Sequence, residues 1–206
     1  MSAAPRHTCV HGILGAVICL CLLPAGLAHA FSTVVIDAGH GGKDPGCHWN
    51  GLVEKDLCLD VARRLNSILQ GKGVKTVMTR TDDTYVELSD RAGIANRHED
   101  AIFVSIHFNA SRDHSVSGFE VHHRSKKGLA LAQCIEKCMG EAVKGRKRDG
   151  DWQDYKVLRE TQATAVLVEC GFISHKGEAA RCADPDHRQA LATGIANGIL
   201  AAKLKQ

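Results

Sequence analysis

The fold of this chain is decided by a stretch near its beginning, VVIDAGH at residues 34–40. An uninterrupted run of β-branched residues is typical of a parallel strand that is covered on both faces, and this run ends at side chains able to do chemistry. Two later runs end in the same way, FVSI before His107 and VLV before Glu169. Ligands of open α/β sheets bind beyond the carboxyl ends of the strands. The sequence therefore predicts that His40, His107 and Glu169 meet at one edge of a sheet.

Strand-length apolar runs alternate with helical periodicity along the rest of the chain, which predicts a single α/β domain with a mostly parallel sheet. A capping box of Thr84 and Glu87 predicts the start of the second helix. Asp184 followed by Pro185 predicts the start of the last one. The predicted strands are 33–37, 74–79, 102–106, 118–123 and 165–168. The predicted helices are 54–70, 84–98, 126–143 and one that opens at residue 185.

The first thirty residues have the features of an export signal. Arg6 supplies a basic start, residues 13–23 are apolar, and residues 28–30 have the small-x-small form of a cleavage site. A membrane helix is the alternative, but a span needs about 20 apolar residues and this run is shorter and broken. We therefore predict a signal peptide over residues 1–30, a domain over residues 31–206, and a periplasmic location, with the extracellular medium as second choice.

Charge composition argues against one class of partner. The chain has 26 basic side chains, and 25 remain when Arg6 is removed, against 23 acidic ones. A nucleic-acid-binding protein usually has a strongly basic face, so no nucleic-acid partner is expected. Membrane contact is expected only through the export signal, and the chain is expected to be a monomer. Six of the nine cysteines follow the signal, and the sequence does not choose among their fifteen full pairings.

The residues at the strand ends are of the types that bind zinc. Glu54 begins the helix that returns from the first strand, so its carboxylate can reach the same edge as His40, His107 and Glu169. Two imidazoles and one carboxylate, with a fourth position open to water, form a catalytic zinc arrangement. Glu169 follows an apolar run directly, and a buried carboxylate without a partner costs several kcal/mol, so it requires a cation or a proton.

Other residues near these positions have weaker claims. Asp37 is a candidate for orienting a histidine ligand, and hydrogen bonding in a turn or cap is equally compatible with its place. The remaining histidines of the domain are rival ligands that we interpret as mostly surface residues. They are His48, His98, His114, His122, His123, His175 and His187.

Several motifs together resemble a known family. IDAGHGGKDPG at 36–46, EKD at 54–56, MTRTDD at 78–83, SIHFNA at 105–110 and VECGFIS at 168–174 are similar to motifs of the zinc-dependent N-acetylmuramoyl-L-alanine amidases of the type-3 class. The likeness covers nearly all of residues 34–203. By this resemblance His40, Glu54 and His107 fall on the zinc ligands and Glu169 on the catalytic glutamate.

The resemblance also implies a fold and a reaction. The fold is a twisted sheet of about six strands flanked by helices on both faces, which makes residues 31–206 a catalytic amidase domain. The reaction is the cleavage, by zinc-activated water, of the amide between N-acetylmuramic acid and L-alanine. The cofactor is Zn²⁺, and the partners are peptidoglycan or muropeptides.

Two other functions use the same residues. A zinc peptidase would act on a different bond of peptidoglycan, and a noncatalytic module would only bind the wall. Some family members carry a long inhibitory helix that an activator displaces, and the span from His107 to Glu169 is too short for one. We therefore expect constitutive activity, although the sequence does not identify or exclude an activator.

Overall fold

The computed structural model describes residues 31–143, 145–148 and 150–203, so the predicted signal peptide lies outside the described residues. Within these ranges, seven strands and six helices follow one another along the chain. The strands are β1 (Thr33–Ala38), β2 (His48–Trp49), β3 (Leu52–Val53), β4 (Lys75–Met78), β5 (Ala101–Asn109), β6 (Glu120–His123) and β7 (Thr164–Phe172). The helices are α1 (Glu54–Gly71), α2 (Leu88–Asn96), α3 (Lys126–Ala142), α4 (Lys156–Glu160), α5 (Lys176–Ala183) and α6 (Pro185–Lys203).

Five strands form the central sheet, in the order β4-β1-β5-β7-β6. The first four are parallel and β6 pairs antiparallel to β7 at the edge, which confirms the mostly parallel α/β prediction. The expected number of about six strands is corrected to five. The other two strands, β2 and β3, form a separate ribbon, because Asn50 and Gly51 both adopt positive φ in the tight turn between them. An Asn-Gly pair is a strong hairpin signal in a sequence.

The two faces of the sheet carry two separate apolar layers. In β1, Val34 and Ile36 join the larger core that α1, α3 and α6 cover, whereas Val35 joins the smaller core beside α2 and α4. Neighbouring side chains of a strand point to opposite faces, so this alternation also fixes the direction of the polar residues that follow. The side chains of residues 37, 105, 107 and 169 therefore lie on the α2 and α4 face.

The helix boundaries agree with the sequence except at α2, which begins at Leu88 and not at Thr84. The predicted capping box is wrong because the Thr84 hydroxyl donates to the Asp82 carboxylate, and the N-cap residue Glu87 makes no side-chain cap hydrogen bond. The predicted start of α6 is confirmed, since Asp184 Oδ1 accepts a hydrogen bond from the Asp186 amide at 2.9 Å. The two short helices α4 and α5 were not predicted.

Candidate metal centre

Three side chains from distant parts of the chain converge at the carboxyl edge of the sheet. Oε1 of Glu54 lies 3.0 Å from Nε2 of His40 and 3.0 Å from Nδ1 of His107. The two imidazole rings meet edge to face with centroids 4.8 Å apart. One ligand atom from each residue lies within 4.8 Å of the others, and no other His, Cys, Asp or Glu group in the described part of the chain meets this criterion.

The backbone around these residues is built for close approach. His40 follows β1 in the left-handed region with a φ of 57°, a conformation that costs a non-glycine residue about 1–3 kcal/mol. Gly39 lies against the His107 ring, and a Cβ at Gly39 would stand 2.5 Å from Cε1 of that ring. Glu54 is the first residue of helix α1, and His107 lies on strand β5.

Hydrogen bonds fix the direction of the Glu54 carboxylate. Oε1 accepts the Phe108 amide at 3.1 Å, while Oε2 accepts the Cys47 amide at 2.9 Å and the Cys47 thiol at 3.0 Å. Burial would raise the pKa of Glu54, but the hydrogen bonds and charges of His107 and His40 outweigh it and hold the pKa well below its usual value. Glu54 is therefore an ionised carboxylate with Oε1 directed between the two imidazoles.

A second carboxylate orients His40. Oδ2 of Asp44 lies 2.8 Å from Nδ1 of His40, an arrangement that leaves Nε2 to face Glu54. Burial lowers the pKa of His40, but the adjacent Glu54 and Asp44 raise it by more, so the pKa lies above its ordinary value.

The orienting role that the sequence suggested for Asp37 is wrong. Oδ1 of Asp37 accepts hydrogen bonds from Thr79 and Arg91, and Oδ2 accepts one from the Ser105 hydroxyl. These three donors hold a buried carboxylate beneath the site without contact to either histidine.

Glu169 lies beside His107, because the two residues are register partners on β7 and β5. Its side chain is buried, and Oε2 has no hydrogen-bond partner among the described residues. Burial, followed by the charges of Glu54 and Glu120, raises the pKa of Glu169 well above its ordinary value. A buried carboxylate in this position is suited to gaining and losing a proton, or to facing a cation.

The four predicted residues open into one cleft of about 420 Å³. His40, Glu54, His107 and Glu169 form its floor at the sheet edge, and its other lining residues include Leu88, Tyr155 and Val157 of the α2 and α4 layer. A volume of a few hundred Å³ is typical of a small-ligand site.

One of the seven rival histidines, His122, does not lie at the surface. His122 is buried, because its place on β6 directs the ring to the α4 side, where it packs edge to face on Tyr155 with centroids 5.5 Å apart. Its Nε2 lies 3.3 Å from Oε2 of Glu120, the residue paired with Glu169 across β6 and β7. None of the other six rival histidines is buried.

Sequence reasoning missed several residues around the site. The roles of Glu120, His122 and Tyr155 depend on strand pairing and on the unpredicted helix α4. The alternation of residues 118–123 was the one available signal, since it placed Glu120 and His122 on a common face. Asp44 lies four residues from His40 in a loop, so periodicity gave no reason to pair them.

The donor atoms fit a catalytic metal ion. Two imidazole nitrogens and one carboxylate oxygen converge on one point, and the fourth side faces the cleft and the uncompensated Glu169 carboxylate. This set, with one position left to water or substrate, is the ligand pattern of a hydrolytic metal site.

Comparison with known proteins finds amidases by family model, by sequence and by structure. A family model described as N-acetylmuramoyl-L-alanine amidase matches residues 34–201. The probable cell wall amidase LytH of Staphylococcus aureus is 35% identical over 170 residues, which cover 81% of this chain and 57% of LytH. This chain therefore spans little more than half the length of that relative.

Two solved structures resemble the fold closely. The N-acetylmuramoyl-L-alanine amidase AmiC2 of Nostoc punctiforme superimposes with a TM-score of 0.81 at 36% identity, covering 84% of this chain and 97% of that one. The CwlD amidase of Clostridioides difficile, solved in complex with the GerS lipoprotein, gives a TM-score of 0.81 at 28% identity. That match covers 85% of this chain and 100% of the CwlD chain.

Proposed function

This chain belongs to the N-acetylmuramoyl-L-alanine amidase family, and we propose that it hydrolyses the amide between N-acetylmuramic acid and L-alanine in peptidoglycan or muropeptides with the help of zinc. The observation that carries the proposal is the convergence of His40, Glu54 and His107 on one point beside Glu169. The cleft above that point has a volume of about 420 Å³, which is within the range of small-ligand sites.

Three residues would hold the zinc ion. They are His40 through Nε2, Glu54 through Oε1 and His107 through Nδ1, the atoms that face one another in the structure. When bound, zinc supplies a Lewis acid that polarises the scissile carbonyl and makes water a better nucleophile at neutral pH. Asp44 would keep His40 in the orientation that presents Nε2.

Glu169 would carry the proton. Its buried Oε2 accepts a proton from the attacking water and returns it to the alanine nitrogen as the carbon–nitrogen bond breaks. Without this second transfer the leaving group would be an amine anion, which is a very poor leaving group. General acid and base action of this kind contributes about 10² to 10⁴-fold to rate. The raised pKa of Glu169 favours the protonated carboxyl group, which is the form that donates to the leaving nitrogen.

Export would bring the enzyme to its substrate, and we propose that residues 1–30 are a cleaved signal. None of the helices that the structure describes has the length and hydrophobicity of a membrane span. Sequencing the N-terminus of the protein recovered from the periplasm tests this: a chain that starts at Phe31 supports cleavage, and an intact Met1 contradicts it.

The proposed reaction is tested with dye-labelled, purified cell wall. The expected result is dye release that stops when a chelator removes the metal and returns when Zn²⁺ is added. Glu169→Gln is the matched control, because it should keep the metal and lose release. Persistent activity in the chelator would contradict the metal requirement.

Product analysis then identifies the bond. An amidase frees the amino group of L-alanine and leaves glycan strands that carry no stem peptide and have no new reducing ends. A peptidase acting elsewhere would free a different amino group and leave alanine attached to the sugar. The second outcome would replace the proposed substrate bond while retaining the metal chemistry.

We also propose that activity needs no activator protein. Glu169 lines the cleft, and of the elements described between His107 and Glu169 (β6, α3 and α4) only the five-residue helix α4 contributes to the cleft wall. The structure of CwlD is that of a complex with GerS, so dependence on a partner is the alternative that an assay of the purified enzyme alone must exclude. Silence of the purified, zinc-loaded enzyme on cell wall would contradict this proposal.

A further inference from the structure

Two buried arginines surround the turn that carries His40. Arg80 donates from Nε to the Ala38 carbonyl at 2.9 Å and from Nη2 to the Gly39 carbonyl at 2.7 Å. A third bond runs from the same Nη2 to the Lys55 carbonyl at 2.8 Å, next to Glu54 in α1. One guanidinium group therefore connects the two segments that supply the first two proposed zinc ligands.

Arg91 completes the arrangement from helix α2 and is only 1% exposed. Its Nη1 donates to the Ala38 carbonyl at 2.6 Å, and its Nη2 donates to the His40 carbonyl at 2.6 Å. Together the two side chains, which we call the arginine clamp, bind the carbonyls of three consecutive residues, 38 to 40. Asp37 anchors the clamp by accepting from Nη1 of Arg91 at 2.9 Å.

The turn needs such a device for a physical reason. The chain leaves the sheet after Ala38, so its next carbonyls lose their strand partners while they remain close to the core. His40 also sits in the left-handed region, which a histidine avoids unless its surroundings impose it. The fixed fork of a guanidinium can bind two carbonyls in one plane, which a lysine ammonium cannot reproduce.

The charge of the clamp points away from a purely electrostatic role. Among the described residues, the two guanidinium groups have a single carboxylate as a hydrogen-bond acceptor, that of Asp37, and it accepts from Arg91 alone. Arg80 donates only to backbone carbonyls, so the immediate surroundings of the clamp keep an excess of positive charge. An excess of positive charge disfavours a cation nearby. Any benefit of the clamp to a zinc ion must therefore come from geometry, which outweighs this repulsion.

We propose that Arg80 and Arg91 are positioning residues that set the zinc affinity of this chain by holding the 38–40 turn so that Nε2 of His40 faces Glu54. The inference rests on the proposed zinc site. Neither arginine touches the ligand atoms of the site, and each acts through the backbone that carries them.

The test measures zinc affinity by chelator competition in Arg91→Lys, Arg91→Met and Arg80→Lys. Positioning predicts that all three bind zinc about 10- to 100-fold more weakly than the wild type, the range typical of residues that support ligands. Arg91→Met gives the sharpest result, because removing a positive charge would tighten zinc binding if charge were all that mattered. Should this variant fail to fold, as judged by circular dichroism, the two lysine variants decide the same question.

Arg188→Lys is the matched control. Arg188 also binds two consecutive carbonyls, those of Cys182 and Ala183, but at the end of α5 away from the cleft. It is expected to lower the melting temperature and leave zinc affinity unchanged. Wild-type affinity in the folded clamp variants, or equal losses in the clamp variants and in Arg188→Lys, overturns the inference. If the wild type itself binds no zinc, the proposed function fails as well, so the two failures are told apart.

Discussion

Adding one methyl group at Gly39 should disable the site without unfolding the protein. Gly39 lies outside the left-handed region, so its backbone accepts alanine without strain. A Cβ there would stand 2.5 Å from Cε1 and 2.6 Å from Nε2 of His107, whereas ordinary contact begins at 3.4 Å. The imidazole ring must therefore retreat by about 0.9 Å or rotate away from Glu54.

The expected size of the effect follows from that displacement. Metal and catalytic groups must be held within about 0.5 Å of their working positions, and a 1 Å error can cost about 100-fold in rate. We expect Gly39→Ala to bind zinc at least tenfold more weakly and to release dye from cell wall about 100-fold more slowly. Both quantities are measured on the same preparation, by chelator competition and by dye release at saturating zinc.

Gly93→Ala is the control for this experiment. Gly93 lies in helix α2 with open space where a Cβ would be, so alanine should stabilise the helix by about 0.5–1 kcal/mol and leave activity intact. Wild-type zinc affinity and activity in Gly39→Ala would contradict the predicted clash, since the His107 ring would then have room that the structure does not show.

Three further predictions concern the residues around the proposed zinc site. His107→Ala should lose zinc along with activity, whereas Glu169→Gln should keep stoichiometric zinc and lose about 10² to 10⁴-fold in rate, as metal analysis and dye release will show. Because burial raises the pKa of Glu169, its charge destabilises the chelated protein progressively as the pH rises above the unfolded value of 4.5. In chelator, the melting temperature of Glu169→Gln should therefore exceed that of the wild type at pH 8 and equal it at pH 4. Equal melting temperatures of the two proteins at both pH values would contradict the raised pKa. Cys47→Ala removes the thiol that donates to Glu54 and should weaken zinc binding by up to about tenfold. Cys47→Ser keeps a donor at this position and should bind zinc as tightly as the wild type. Identical zinc affinities of Cys47→Ala and the wild type would show that the backbone amide of residue 47 is enough to hold the Glu54 carboxylate.

The amino-acid sequence alone predicts the fold class and the residues that carry the chemistry. Continuous apolar runs can be buried only as covered strands, and a histidine or glutamate directly after such a run must emerge at the carboxyl edge. That rule predicts that His40, His107 and Glu169 lie together, and the structure brings them to one cleft. The start of α6 could also be predicted from the sequence, because the capping interaction of Asp184 lies within one turn of the helix that Pro185 begins.

The groups that support those residues are apparent only from the way the elements pack. Asp44 and not Asp37 orients His40, since the pleat directs Asp37 beneath the site, where Arg91 and Ser105 hold it. The clamp of Arg80 and Arg91 and the burial of His122 depend on contacts between segments separated by tens of residues. Local pattern fixes the face and the end of an element on which a side chain lies. The partner that it meets is set by how the elements pack, and that information is not contained in the spacing of any single motif.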